Sequence, residues 1–222
     1  MFRVDPDAKP RVQVKICGIT NAKDASAAIQ AGADALGFNF WPQSKRYINI
    51  EETRDWLEQL PPEIVKVAVL VDPTWDEAFG ISRLPFVNAL QLHGSESPEF
   101  CRRLADAGVA FAKAVPATDR ERIVHLPSFS TVFLVFDSMS AAGFGGTGKT
   151  FSWEIARRFC DDHPEVRVIL AGGLTPENVG EAIGAVRPFG VDVSTGVEVS
   201  PGRKNADLVS AFIESVRISS EI

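Results

Sequence analysis

The sequence predicts an α/β protein of a single domain, a (β/α)8 TIM barrel in which eight strands alternate with eight helices. Short β-branched or aromatic runs recur along the chain, and each is followed by a turn signal and a stretch of helical periodicity. The 222 residues give about 28 residues for each of eight such units. Parallel strands joined by right-handed crossovers close naturally into a ring at this number, whereas an open sheet rarely needs eight complete units.

Strands and helices are predicted in strict alternation. The strands are predicted at 12–17, 35–40, 66–72, 89–92, 110–115, 132–137, 166–171 and 191–194. The helices are predicted at 21–31, 50–60, 75–83, 98–107, 119–126, 152–161, 176–186 and 206–216. Asn21 is expected to cap the first helix, and Thr175 before Pro176 predicts that the seventh helix begins at the proline.

Composition and charge exclude several classes of protein. Apolar residues make up 45% and charged residues 23% of the chain, which is typical of a folded globular protein and excludes intrinsic disorder. The net charge of −6 and the lack of a basic stripe argue against a nucleic-acid partner. No apolar run reaches the roughly 18 residues that a membrane span requires. Residues 1–10 are expected to form a loose extension, and residues 11–222 the barrel.

The cysteines favour a reducing compartment. The chain has 3 cysteines, widely spaced and without a C-x-x-C pair, so neither a disulfide framework nor a metal site follows from them. A cytoplasmic location is therefore expected. The sequence is compatible with a monomer and with a homodimer.

The first strand is expected to place polar side chains inside the barrel. Because side chains alternate along a strand, Val14 and Ile16 should face the helices while Lys15 and Cys17 face the interior. Cys17 then ends the strand at the rim where such barrels place their chemistry. A lysine on the same face favours the thiolate, so a lowered thiol pKa is predicted for Cys17. The alternative is a small buried cysteine beside a lysine with a satisfied charge.

Seven segments in order resemble the phosphoribosylanthranilate isomerase family of tryptophan biosynthesis. They are KICGIT at 15–20, GADALGFNF at 32–40, SKRYI at 44–48, LQLHG at 90–94, GGTGKTF at 145–151, AGGLTPENV at 171–179 and VDVSTGVE at 191–198. The resemblance implies an Amadori rearrangement that needs no cofactor and no metal. In it, N-(5'-phosphoribosyl)anthranilate becomes 1-(2-carboxyphenylamino)-1-deoxyribulose 5-phosphate, so the partner is a small phosphorylated substrate.

This chemistry requires an acid for the ring oxygen, a base for the C2 proton, and contacts to a phosphate and an aromatic carboxylate. The resemblance implies that Cys17 is the general base and Asp137 the general acid. Arg46 matches the family's contact to the anthranilate carboxylate, and a guanidinium offers two parallel donors to such a group. His93 is equally compatible with lining the site and with packing. Asp192 and Glu198, which flank the end of the last strand, are compatible with bracing the phosphate loop or with acting as a reserve carboxylate, and neither is assigned a role.

The phosphate is expected in the last two loops of the barrel, where these folds often bind it. Glycines there let backbone N–H groups approach an anion, although glycines are also ordinary turn residues. The predicted phosphate-binding residues are Gly172, Gly173, Ser194, Thr195 and Gly196, with Gly145 and Gly146 closing over the same group.

Three alternatives compete with this interpretation. Residues 143–150 match the letter pattern of a nucleotide phosphate loop, but five residues separate them from the strand end, where a true loop would begin. An indole-glycerol-phosphate synthase would need a Lys/Glu constellation at strand ends that is not found. A silent sugar-phosphate-binding protein would be expected to lack the thiol or the carboxylate, and both are present.

Overall fold

The structure is a computed structural model that describes residues 11–116, 129–137 and 153–220. Eight parallel strands form a closed barrel in chain order, with the last strand paired to the first, so the predicted fold is confirmed. The strands are β1 Gln13–Cys17, β2 Ala35–Asn39, β3 Val65–Leu70, β4 Ala89–Leu92, β5 Phe111–Pro116, β6 Phe133–Asp137, β7 Arg167–Leu170 and β8 Gly190–Val193.

The helices of the described ranges surround the barrel. They are α1 Ala22–Ala31, α2 Ile50–Glu58, α3 Trp75–Ser82, α4 Pro98–Asp106, α5 Trp153–Asp162, α6 Val179–Val186 and α7 Ala206–Ser220. The helix predicted at 119–126 and the loose extension predicted at 1–10 lie outside the described residues. None of the helices in these ranges is long and apolar enough to cross a membrane.

Asparagine side chains determine where α1 and α6 begin. Asn21 accepts a hydrogen bond from the backbone N–H of Asp24 at 2.9 Å, which confirms the predicted cap of α1. The predicted start of α6 at the proline is wrong, because the helix begins at Val179. Asn178 accepts from the N–H of Thr175 at 2.8 Å and donates to the carbonyl of Gly173 at 2.9 Å, which folds the preceding residues into a turn.

Alternation along the strands separates two apolar clusters. A small interior cluster fills the barrel and comprises Ala35, Val65, Val67, Ala112, Ala114, Val135, Ile169 and Ala171. A larger cluster lies between strands and helices and includes Val14 and Ile16. Lys15 is 0% exposed and faces the interior, so the predicted orientation of β1 is confirmed.

A small two-stranded sheet follows the barrel and was not predicted. After β8 the chain forms a short 3-10 helix at Thr195–Val197, then β9 Glu198–Ser200 and β10 Arg203–Lys204, which pair antiparallel. These strands are too short to leave an alternating pattern in the sequence. Their importance lies in two charged residues, Glu198 and Lys204, that they bring to the barrel mouth.

Candidate active site

The predicted site residues within the described ranges lie at one end of the barrel. Cys17 is the last residue of β1, and Asp137 is the last residue of β6. Arg46 lies between β2 and α2, while the two predicted phosphate segments follow β7 and β8. The carboxyl ends of parallel strands share one rim, so all of these residues border the same mouth. Gly145 and Gly146 lie outside the described residues.

A buried ion pair lies below Cys17. Lys15 Nζ donates to Asp192 Oδ2 at 2.8 Å, and the two side chains are 0% and 6% exposed. The two residues stand directly opposite each other in the pairing of β1 with β8, so closure of the barrel brings them together. Charges this deep in a protein are tolerated when they are paired.

Desolvation dominates the acidity of the thiol. Burial raises the pKa of Cys17 above its ordinary value, while the positive charge of Lys15 opposes the rise without cancelling it, and the charge of Asp192 adds to it. The predicted lowering of the thiol pKa is therefore wrong in its net direction. The physical reason is that the charge of Lys15 is shared with Asp192, whereas the loss of water is not compensated.

Gly37 makes room for the thiol. It stands opposite Cys17 in the pairing of β1 with β2. A Cβ atom at this position would lie 2.7 Å from Cys17 Sγ and 3.0 Å from Lys15 Nζ, which is closer than such contacts allow. The missing side chain thus leaves the thiol and the ammonium group in one small polar compartment.

Asp137 lies beside a histidine that also contacts Gln91. His93 Nε2 lies 3.4 Å from Asp137 Oδ2, and Gln91 Nε2 lies 3.2 Å from His93 Nδ1. Each ring nitrogen of His93 therefore has one polar neighbour, Gln91 at Nδ1 and Asp137 at Nε2. His93, which the sequence left open, therefore lines the site beside Asp137.

Arg46 is held in place by a carboxylate. Glu198 accepts from Arg46 Nε at 2.8 Å and from Nη2 at 2.6 Å, and Nη2 also donates to Thr195 Oγ1 at 3.2 Å. Lys204 Nζ donates to Glu198 Oε1 at 2.8 Å. The hydrogen bond to Glu198 raises the pKa of Arg46, whereas burial lowers the pKa of Lys204 despite the charge of Glu198.

The two predicted phosphate loops pack against each other through their backbones. Gly172 and Gly173 adopt φ values of 83° and 69°, in the left-handed region that favours glycine. A Cβ atom on Gly196 would lie 2.0 Å from the carbonyl oxygen of Leu174, so no side chain fits there. Within the described part of the chain, the buried Ser194 Oγ has no hydrogen-bond partner. A hydroxyl and backbone amides of this kind are suited to an anion.

The sequence assigned no role to the residues that support the predicted ones. Asp192 could have been found, because a lysine predicted inside a closed barrel needs an anion on a neighbouring strand, and β8 neighbours β1. Glu198 and Lys204 gave no such signal, since they depend on the short sheet after β8. The site thus consists of predicted residues at strand ends and supporting charges that only the fold brings to them.

Comparison with known proteins decides the family. A family model described as N-(5'phosphoribosyl)anthranilate (PRA) isomerase matches residues 14–215, which include every segment described above. The chain belongs to the phosphoribosylanthranilate isomerase family. N-(5'-phosphoribosyl)anthranilate isomerases from Thermotoga neapolitana and Trichlorobacter lovleyi are 41% and 42% identical to it, over 93% of this chain and 98% of theirs.

Solved structures of phosphoribosylanthranilate isomerases share the fold. The enzyme from Thermotoga maritima gives a TM-score of 0.84 at 40% identity, with 93% of this chain and 98% of that chain covered. A complex of a phosphoribosylanthranilate isomerase with reduced 1-(o-carboxyphenylamino)-1-deoxyribulose 5-phosphate gives 0.79 at 39% identity and the same coverage. The function of this chain is therefore the isomerisation of N-(5'-phosphoribosyl)anthranilate in tryptophan biosynthesis, as the sequence resemblance implied.

Proposed function

We propose that the chain performs this isomerisation as an acid–base Amadori rearrangement in which Asp137 is the acid and Cys17 is the base. Asp137 gives its proton to the furanose oxygen, the bond from C1 to that oxygen breaks, and the nitrogen lone pair forms an iminium ion. The Cys17 thiolate then takes the C2 proton, and the electron pair of that bond neutralises the iminium to give an enolamine. Transfer of the enol proton to C1 completes the aminoketose.

The observation that supports this proposal best is the position of the thiol and the carboxyl group on one barrel mouth. They end β1 and β6, strands that are separated by β7 and β8 on one side of the closed ring. Asp192 on β8 is influenced by the charge of Lys15 beside the thiol and by the charges of Asp137 and His93. A small molecule bound over Asp192 would therefore have an acid on one side and a base on the other.

Arg46 is proposed to bind the anthranilate carboxylate, and the glycine loops the phosphate. Glu198 and Thr195 engage Nε and Nη2 of Arg46, and neither contact uses Nη1. A guanidinium fixed along one edge presents its remaining donor in a defined direction. Gly172, Gly173 and the segment 194–196 would surround the phosphate at the opposite end of the substrate.

The partner proposed for this chain is a small phosphorylated substrate, with neither nucleic acid nor membrane involved. Its reduced product analogue is bound by a related isomerase. The net charge of −6 argues against a polyanion-binding protein, and the three widely spaced cysteines favour a cytoplasmic location. Assembly as a monomer or a homodimer is proposed, and the Thermotoga maritima relative is a dimer.

Purified protein is expected to accelerate the loss of phosphoribosylanthranilate fluorescence far beyond the spontaneous rate. The reduced product analogue should inhibit this reaction competitively, because it would occupy the carboxylate and phosphate contacts together. Absence of acceleration would contradict the proposal. A melting temperature raised by nucleotide with magnesium, but not by phosphorylated sugar, would instead favour the phosphate-loop alternative at 143–150.

Replacing Arg46 by lysine is expected to raise KM by about tenfold or more, with a smaller effect on kcat. Lysine keeps the positive charge but loses the planar fork that Glu198 holds, so the carboxylate contact is no longer directed. Steady-state kinetics with phosphoribosylanthranilate and with the analogue lacking the carboxylate would measure this effect. The variant should discriminate less between the two compounds than the wild type does.

Lys45 offers the matched control for this substitution. It neighbours Arg46, has the same charge and is exposed. Lys45→Gln should leave both KM values unchanged. Equal discrimination between the two substrates in Arg46→Lys and in the wild type would show that the guanidinium does not bind the carboxylate.

A further inference from the structure

The buried ammonium group of Lys15 contacts two acidic side chains inside the barrel, Asp192 and Cys17. Lys15 donates to Asp192 Oδ2 at 2.8 Å. Burial acts to lower the pKa of Lys15, but the charges of Asp192 and Cys17 and the hydrogen bonds to both groups raise it above its ordinary value. Lys15 therefore stays protonated and touches both Asp192 and the thiol.

Among the described residues, the other cations that act on the thiol are already engaged. Lys204 and Arg46 both act on Cys17, yet both are bound to the carboxylate of Glu198. In the proposed function, Arg46 also meets the substrate carboxylate. Within the described ranges, Lys15 is then the cation left for two acidic groups. A cluster of one cation and two acids is neutral when the acids share one proton.

Asp192 is suited to hold that proton. Its Oδ1 atom is buried and has no hydrogen-bond partner within the described part of the chain. A buried carboxylate oxygen without a donor lacks the stabilisation that water would give it, which favours the neutral acid. Asp137 and His93 act on Asp192 with opposite effects, since the charge of Asp137 raises its pKa and that of His93 lowers it.

We propose that Asp192 is a positioning residue for the base, sharing one proton with Cys17 through the ammonium group of Lys15. The thiol gives its proton to Lys15 Nζ while Lys15 gives one of its own to Asp192 Oδ2. Cys17 becomes a thiolate, Asp192 becomes a neutral acid, and Lys15 keeps its charge. This inference rests on the proposed role of Cys17 as the base and explains how a desolvated thiol is partly ionised before the cluster loses its shared proton to solvent.

Alkylation of Cys17 by iodoacetamide, followed by mass spectrometry from about pH 5 to pH 10, reports its thiolate. Asp192→Asn should move the midpoint down by about one unit, which makes alkylation near neutral pH about tenfold faster. The other described thiols interfere little, because burial raises the pKa of Cys101 and of Cys160 to about 11. An unchanged or higher midpoint in Asp192→Asn would overturn the proposal.

The matched control is another buried lysine–carboxylate pair, one that lies away from the thiol. Lys113 Nζ donates to Glu96 Oε2 at 2.8 Å, and both side chains are nearly inaccessible. Glu96→Gln therefore removes a comparable buried charge, and we expect the alkylation midpoint of Cys17 to stay at its wild-type value. A shift as large as that of Asp192→Asn would mean that the effect is not specific to Asp192.

The position of the proton is tested by carbon NMR of protein labelled in its aspartate carboxyl groups. Coupled acids titrate in shared steps, so the Asp192 signal should show a step at the alkylation midpoint of Cys17. Cys17→Ser should abolish that step. The signal is assigned by its loss in Asp192→Asn or, where that variant does not fold, in Lys15→Met/Asp192→Asn, which leaves no buried charge unpaired.

The two proposals fail in different ways. A step in the Asp192 titration that survives in Cys17→Ser, or no step at the midpoint of the thiol, would exclude proton sharing and leave the role of Cys17 as base intact. Conversely, normal turnover in Cys17→Ser would refute the role of Cys17 as the base, even where the titrations of Cys17 and Asp192 gave the results expected from proton sharing.

Discussion

Replacing Cys17 by serine is expected to lower the turnover of phosphoribosylanthranilate by at least about a hundredfold. A serine hydroxyl occupies nearly the same space beside Gly37, but it does not ionise in the range in which a thiol does, so the C2 proton loses its acceptor. The decay of substrate fluorescence under steady-state conditions measures this loss. KM should change less, because the proposed carboxylate and phosphate contacts remain.

The pH profile separates a lost base from a damaged fold. A base is active when deprotonated, so kcat/KM of the wild type should rise as the pH rises through the titration of the thiol. Burial raises the pKa of Cys17, which places this ascending limb at higher pH than for an exposed cysteine. Cys17→Ser should lack the limb, whereas Cys160→Ser on α5 should keep both the limb and the rate. Near-normal turnover of Cys17→Ser would refute its role.

Much of the fold could be predicted because barrel strands and their helices follow simple periodicities. The strand predicted at 89–92 matches β4, and the one predicted at 12–17 differs from β1 by a single residue. The start of α6 could not be predicted in the same way, since the side chain of Asn178 overrides the proline signal. The two short strands after β8 were missed because two or three residues give no periodicity.

The site residues that end a barrel strand could be predicted, because the end of each strand lies on the rim of the barrel. Cys17 and Asp137 end their strands, so their placement followed from the fold. The supporting ion pairs join residues far apart in sequence: Lys15 and Asp192 are separated by 177 positions, and Arg46 and Glu198 by 152. The sign of the thiol pKa shift was missed for a related reason, because a sequence shows the charge of a neighbouring lysine but not the loss of water.

Replacing Asp137 by asparagine is expected to lower kcat by at least about a hundredfold as well. Asparagine keeps the shape of the side chain and its place near His93 but gives no acidic proton to the furanose oxygen. The bond from C1 to that oxygen must then break without protonation of the oxygen, which leaves as an alkoxide. Ring opening therefore becomes the slow step. Asp72→Asn is a matched control, because Asp72 also follows a barrel strand and its Oδ1 accepts from the N–H of Ser95 at 2.6 Å, which asparagine can also do. This control should turn over at the wild-type rate.

The order of the two proton transfers makes the roles of Asp137 and Cys17 distinguishable from each other. Asp137 acts before the C2–H bond breaks, whereas Cys17 breaks that bond. Substrate with deuterium at C2 should therefore react more slowly than ordinary substrate in Cys17→Ser, while in Asp137→Asn the ratio of the two rates should fall toward unity. A full isotope effect in Asp137→Asn would mean that ring opening is not limited by the loss of this carboxyl group. Another group on the rim would then be the acid, and His93, whose Nε2 lies 3.4 Å from Asp137 Oδ2, would be the first to test.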